Sequence, residues 1–91
     1  MTLEFPNPSR SFDKVRNAIR FIGHDGMFEV PFFVEVEALA KSSAGLRSME
    51  LSEEMYLSTF DSARRSIEDV AREAYSHRRQ TSYTLTAADF R

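Results

Sequence analysis

Apolar residues alternate with polar ones across two stretches of this chain and recur at steps of three and four across a third, so the pattern mixes strand and helix periods. From Ser11 to Gly23, Val15, Ile19 and Phe21 fall on one face and Arg16 and Arg20 on the other, which predicts a half-buried strand. His24-Asp25-Gly26 reads as a tight turn, and alternation resumes through Phe28, Val30, Phe32 and Val34, giving an antiparallel hairpin with these residues facing the helices. Pro31 has no amide hydrogen to donate, so the second strand is expected at an edge or interrupted there. Leu3 and Phe5 alternate with polar neighbours ahead of Pro6 and Pro8 and predict a short edge strand.

Beyond Val34 the period changes. Val36, Leu39 and Ala40 take helical spacing behind Glu35 and Glu37, with Gly45 as the stop. A loop from Ser42 leads to Ser52, a residue suited to capping the next helix, followed by Glu53 and Glu54. Tyr56, Phe60, Ala63, Ile67, Val70 and Ala74 then form a stripe widened by Leu57, Ala71 and Tyr75, which predicts one long helix from Ser52 to His77. Asp61 with Arg65, Arg64 with Glu68, and Glu68 with Arg72 stand four apart as helix-surface ion pairs. The segment from Thr81 to Leu85 is β-prone, and Thr86-Ala87-Ala88-Asp89 has capping-box spacing, with Phe90 placed to dock the turn that it opens. The expected architecture is α+β: an antiparallel sheet of three to four strands, with one short and one long helix packed on one face.

Composition narrows the function classes. Ninety-one residues, 42% of them hydrophobic, make one domain, residues 1–91, with a modest core. Val30 to Val34 is the longest apolar run, far short of the roughly twenty residues of a membrane helix, and a basic start with a long apolar run is missing, so a cytoplasmic chain is expected. With no cysteine there is no disulfide, thiolate metal site or thiol nucleophile. A net charge of -2, spread evenly over both halves, gives no global field for nucleic acid.

Taken together, Phe5-Pro6, Ser11-Phe12-Asp13, Val15 to Phe21, Asp25-Gly26, Glu37-Ala38-Leu39, Phe60, Arg64, Ile67, Ala71 and Tyr75, and Leu85 with Asp89-Phe90 resemble the bacterial family known as domain of unknown function 1488. The order and spacing of these pieces carry the resemblance over nearly the whole chain. Ala63 departs from it, since a polar residue is common just before the matched arginine. The resemblance implies a small single-domain bacterial protein and assigns no activity, cofactor or catalytic residue.

Several residues stand out as candidate chemistry. Arg64 lies within the apolar arc of the long helix, so its guanidinium either holds an anion or pairs with a carboxylate such as Asp89 or Asp13. Arg78 and Arg79 extend that arginine cluster beyond the helix, and acids interleave Arg64, Arg65 and Arg72 in a way that reads as self-pairing more than as a phosphate track. His24 and His77, the only histidines, could with Glu29 or Glu73 be assembled into a metal site, but the short-spaced ligand pair of zinc proteins is missing. No serine stands in a nucleophile turn, the glycines form no phosphate loop, and the adjacent acids Glu53-Glu54 and Glu68-Asp69 diverge around a helix instead of sharing a proton. No cofactor is expected.

The apolar surplus on the hairpin points elsewhere. Alternation puts Ile22, Met27, Pro31 and Phe33 on the outer face of the sheet, where a contiguous patch would mark an interface unless the segment carrying Leu3 and Phe5 folds over it. The sequence thus favours a non-enzymatic protein-interaction or self-association module, with a homodimer as one form. The alternative is an anion- or nucleic-acid-binding regulator using Arg64, Arg78 and Arg79, and behind it stands a metal-dependent or hydrolytic enzyme using a histidine.

Overall fold

The computed structural model describes residues 3–6, 9–42, 53–77 and 80–90. Four strands, β1 (Arg10–Asp13), β2 (Ala18–Asp25), β3 (Phe28–Glu35) and β4 (Tyr83–Leu85), form one sheet in the order β1-β2-β3-β4. Helices α1 (Val36–Ser42), α2 (Glu53–Ser62) and α3 (Arg64–His77) lie between β3 and β4 in the chain, and a short 3-10 turn, Ala87–Asp89, follows β4. The class is α+β, as the sequence predicts, with one change of direction. β1, β2 and β3 are antiparallel neighbours, whereas β4 runs parallel to β3, because the chain crosses over through the helices before it returns to the sheet. The sheet is therefore mixed.

The predicted strand from Ser11 to Gly23 is in fact β1, a turn over residues 14–17, and the first part of β2. Asp13 Oδ1 accepts the amide hydrogens of Val15 and Arg16 at 3.0 and 3.1 Å, and Asn17 takes a φ of 53°. This side-chain capping and a left-handed asparagine reverse the chain within the turn. Val15, expected to face inward, is consequently 96% exposed.

The hairpin between β2 and β3 turns one residue later than predicted. Asp25 pairs with Phe28, so Gly26 and Met27 are the central residues; Gly26 has φ +65° and Met27 does not, the φ signature of a type II′ turn. Phe28, expected in the core, shares the inner side with Val30 and Phe32 but stands 77% exposed at this end of the hairpin. β3 is an interior strand. Pro31 is tolerated there because pairing with β4 begins only at Phe32.

Ile19, Phe21, Val30, Phe32 and Val34 of the hairpin, with Tyr83 and Leu85, pack against Ala38, Leu39, Phe60, Ile67 and Ala71 from the helices. The predicted long helix is divided at Ala63. The Ala63 amide donates to both Thr59 and Phe60 carbonyls, each at 3.1 Å, and the Ala63 carbonyl accepts from Ile67 at 3.0 Å, so the backbone ladder continues across the junction. That continuity keeps Phe60 and Ile67 on one buried side. The cap expected at Ser52, the stop at Gly45 and the intervening loop lie outside the described residues. At the other end the capping box forms, with the Thr86 amide donating to Asp89 Oδ2 at 2.8 Å, and Phe90 packs against the core as expected.

Candidate functional site

Phe33 and its surroundings decide what the outer face of the sheet can offer. Arg20 pairs with Phe33 and Ile22 with Pro31 across β2 and β3, so these side chains share the face turned away from the helices. Ile22 and Pro31 are half-buried. Phe33 is only 7% exposed, and the Arg16 guanidinium sits 4.3 Å from its ring centroid. The turn that exposes Val15 also delivers Arg16, the next residue, to this ring. Met27 is not part of the sheet face at all. It occupies the hairpin turn, 97% exposed, beside the exposed Phe28.

The segment with Leu3 and Phe5 does not cover the outer face. Glu4 makes an antiparallel bridge to His24, donating to its carbonyl at 2.8 Å and accepting from its amide at 2.7 Å. Leu3 and Phe5, one residue to either side, consequently point to the inner side. There Phe5 meets Phe21 and Phe32, each with ring centroids 5.8 Å away, and Leu3 is buried.

Arg64 is held by acids of its own helical region. Its guanidinium lies 3.0 Å from Asp61 Oδ1 and 4.0 Å from Glu68 Oε2, and its central carbon is 4.8 Å from the Phe60 ring centroid. The partners are thus Asp61 and Glu68 in place of Asp89 or Asp13. A helix neighbour three or four positions away is reached without any tertiary coincidence. Asp61 also receives Arg10 from β1, and the Arg10 hydrogen bond, reinforced by Arg64, holds its carboxyl below the ordinary carboxylate range against the opposing cost of burial. The same pairing raises Arg10. Arg72 pairs with Asp69 at 3.2 Å where Glu68 was expected, and Asp61 serves Arg10 and Arg64 where Arg65 was expected. Arg78 and Arg79 lie outside the described residues.

The two histidines stand apart in the fold. His24 faces Glu29 across β2 and β3, whereas His77 is 3.5 Å from Glu73 one turn earlier on α3, beside a shallow recess also lined by Val70, Ala74 and Asp89. Among the described residues no three histidine, aspartate or glutamate side chains gather in a group able to hold a metal ion. Nor, among them, is any helix long and apolar enough to cross a membrane.

Two features escape the sequence pattern. Met27 and Phe28 form an exposed apolar pair at the end of the hairpin, and Arg16, Arg64 and Arg72 each lie against a phenylalanine ring. Alternation assigns Phe28 a face of the sheet but does not say whether that end of the face is covered. The arginine contacts depend on turns and junctions that periodicity does not specify.

A mixed four-stranded sheet backed by helices, with an apolar hairpin tip and arginine-covered aromatic rings, defines a small α+β domain. The chain belongs to the family described as protein of unknown function DUF1488, whose model matches residues 3–86, nearly the whole chain. No curated protein and no solved structure matches it.

Proposed function

We propose that this protein is a non-enzymatic interaction module that contacts a protein partner through the tip of the β2–β3 hairpin, with Ile22 and Pro31 on the adjoining sheet face at its margin. The observation that carries this reading is the adjacent pair Met27 and Phe28, 97% and 77% exposed. Large apolar side chains placed side by side in water at a backbone-defined turn are a typical protein contact, and methionine and aromatic residues are enriched at such contacts. Phe33 supports the sheet from beneath Arg16 and takes no direct part. A cytoplasmic setting in a bacterium belongs to the proposal and rests on the sequence. The arginine-cluster alternative draws no support from Arg64, whose guanidinium is engaged by Asp61 and Glu68.

A photo-crosslinking amino acid at position 28 tests this reading, with the same group at position 15 as the control. Val15 is more solvent-exposed still, 96% against 77%, but lies at the opposite end of β2. A discrete protein adduct from position 28 that is lost in the Met27→Lys background, and none from position 15, is the expected result. Equal labelling at both positions, or none at 28, overturns it.

A further inference from the structure

The two edges of the hairpin end differently. On the β2 side, the His24 carbonyl accepts from the Glu4 amide at 2.8 Å and the His24 amide donates to the Glu4 carbonyl at 2.7 Å. A strand residue directs both groups to one side, so His24 has neither left for Glu29, its partner on β3. Theirs is a non-hydrogen-bonded pair, and Glu29 turns its own amide and carbonyl to the opposite edge. β4 lies along that edge, but its pairing with β3 starts only at Phe32. Pro31, the next residue turned the same way, has no amide hydrogen. Among the described residues, the Glu29 amide and carbonyl therefore have no ladder partner, and Glu29 is exposed.

Leu3-Glu4-Phe5 shows what such a position accepts. Glu4 alone takes both backbone bonds of His24, and the residues on either side of it put apolar side chains on the inner side of the sheet. The same arrangement at Glu29 sets the two flanking residues beside Phe28 and Val30 and the central one beside Glu29 on the outer face. Phe28 is the ring left 77% exposed, so the uncovered apolar surface and the unpaired backbone groups coincide. On the outer face, Glu4, His24 and Glu29 form a row across three segments with a carboxylate at each end, and the charge that complements Glu29 is positive. The Tyr75 hydroxyl of α3 donates to Asp25, which ties the last pair before the turn to the helical layer and holds this edge in place before anything binds.

We propose that the β3 edge at Glu29 is a strand-addition site, and that the partner met by the hairpin tip presents to it an extended apolar-basic-apolar segment, antiparallel to β3, with its central cation beside Glu29. This names the partner's chemistry and rests on the hairpin reading. One antiparallel residue satisfies both Glu29 groups, as Glu4 does for His24. Two copies of this chain joined at the same edge about Glu29 would instead set carboxylate against carboxylate.

The probe is an acetylated and amidated peptide, Ser-Val-Lys-Val-Ser, titrated into the full isotope-labelled chain and followed by NMR. Expected are shifts centred on residues 28–30, slowed hydrogen exchange at the Glu29 amide, and an NOE between that amide and the amide of the peptide's lysine. Methylating the lysine nitrogen of the peptide backbone removes one bond to Glu29 and should weaken binding about tenfold. A peptide with glutamate in place of lysine should bind wild type more weakly, and Glu29→Lys should invert that preference. No shifts at millimolar peptide, an N-methylated peptide that binds as well, or a charge preference untouched by Glu29→Lys overturns the proposal. Binding that leaves Glu29 amide exchange unchanged, alongside a crosslinked adduct from position 28, sinks strand addition and leaves the hairpin reading standing. The hairpin reading fails on a different result, the absence of that adduct.

Discussion

Arg10 on β1 grips Asp61 near the end of α2 with two parallel bonds, Nε to Oδ1 at 3.0 Å and Nη2 to Oδ2 at 2.8 Å. Arg64 takes the same carboxylate from the start of α3, so one acid joins the sheet edge to the helix junction. The pair is partly solvent-exposed, with Asp61 43% exposed at its side chain, and solvent screening limits its worth. Asp61→Asn should cost about 1 kcal/mol, a fall in Tm of roughly 4–8 °C for a domain of this size. Thermal melts of wild type and variant at neutral pH measure it.

The pH dependence of that difference carries a definite sign. Because Arg10, then Arg64, lowers the folded-state pKa of Asp61, its stabilisation is fully present above the ordinary carboxylate value of about 3.9 and is lost as pH falls through the lowered folded-state value. The gap between wild type and Asp61→Asn should therefore narrow on acidification. Denaturant titrations at successive pH values check this, and a gap that widens towards acid would contradict the assignment.

Gly23 offers a packing test in the core. Gly→Ala in an unstrained site usually stabilises slightly by restricting the unfolded chain, but here the added methyl would meet Phe5 at 2.9 Å. Overpacking should win, at about 1–3 kcal/mol, since Phe32 and Leu3 close the other sides at 3.1 Å. In a double-mutant cycle, Phe5→Ala should recover part of the Gly23→Ala loss. A stabilised single variant would mean that Phe5 and Leu3 yield at no cost.

Sequence periodicity located the hairpin, both faces of β3, the helical stripe through Phe60 and Ile67, and the capping box at Thr86, because each follows from local spacing. It placed Val15 in a strand because apolar residues at 15, 19 and 21 mimic alternation, while the reversal depends on Asp13 capping two amides and on Asn17 entering the left-handed region. The parallel pairing of β4 with β3, the partners of Arg64 and the exposure of Phe28 are tertiary results. They are set by where the crossover returns and by which elements pack over the sheet. The candidate site shifted for the same reason, from a flat patch including Phe33 to the hairpin tip.

Val15 and Ile19 separate the two readings directly. Buried in a strand, both would be costly to replace; as found, Val15 is 96% exposed and Ile19 fully buried. Val15→Lys should change stability by no more than about 0.5 kcal/mol, whereas Ile19→Ala should cost about 2–5 kcal/mol. Urea unfolding of the two single variants decides it.

Arg16 is the residue whose replacement should uncover what the sheet conceals. Its guanidinium lies 4.3 Å from the Phe33 ring centroid, and its Nε is 3.6 Å from Asp13 Oδ2, so the turn acid that reverses the chain also aims the cation at the aromatic face. The Arg16 side chain is itself 55% exposed, which keeps the contact in the range of about 0.5–1 kcal/mol found at exposed cation–π sites. Arg16→Ala removes both the charge and the aliphatic stem that shields the ring, and Arg16→Lys loses the planar stacking while keeping the charge. Stability should fall in the order wild type, Lys variant, Ala variant, and solvent paramagnetic relaxation of the Phe33 ring protons should rise in the same order. Relaxation unchanged in Arg16→Ala would show that Phe33 is buried by its strand neighbours alone, and that Arg16 rests on the ring without covering it.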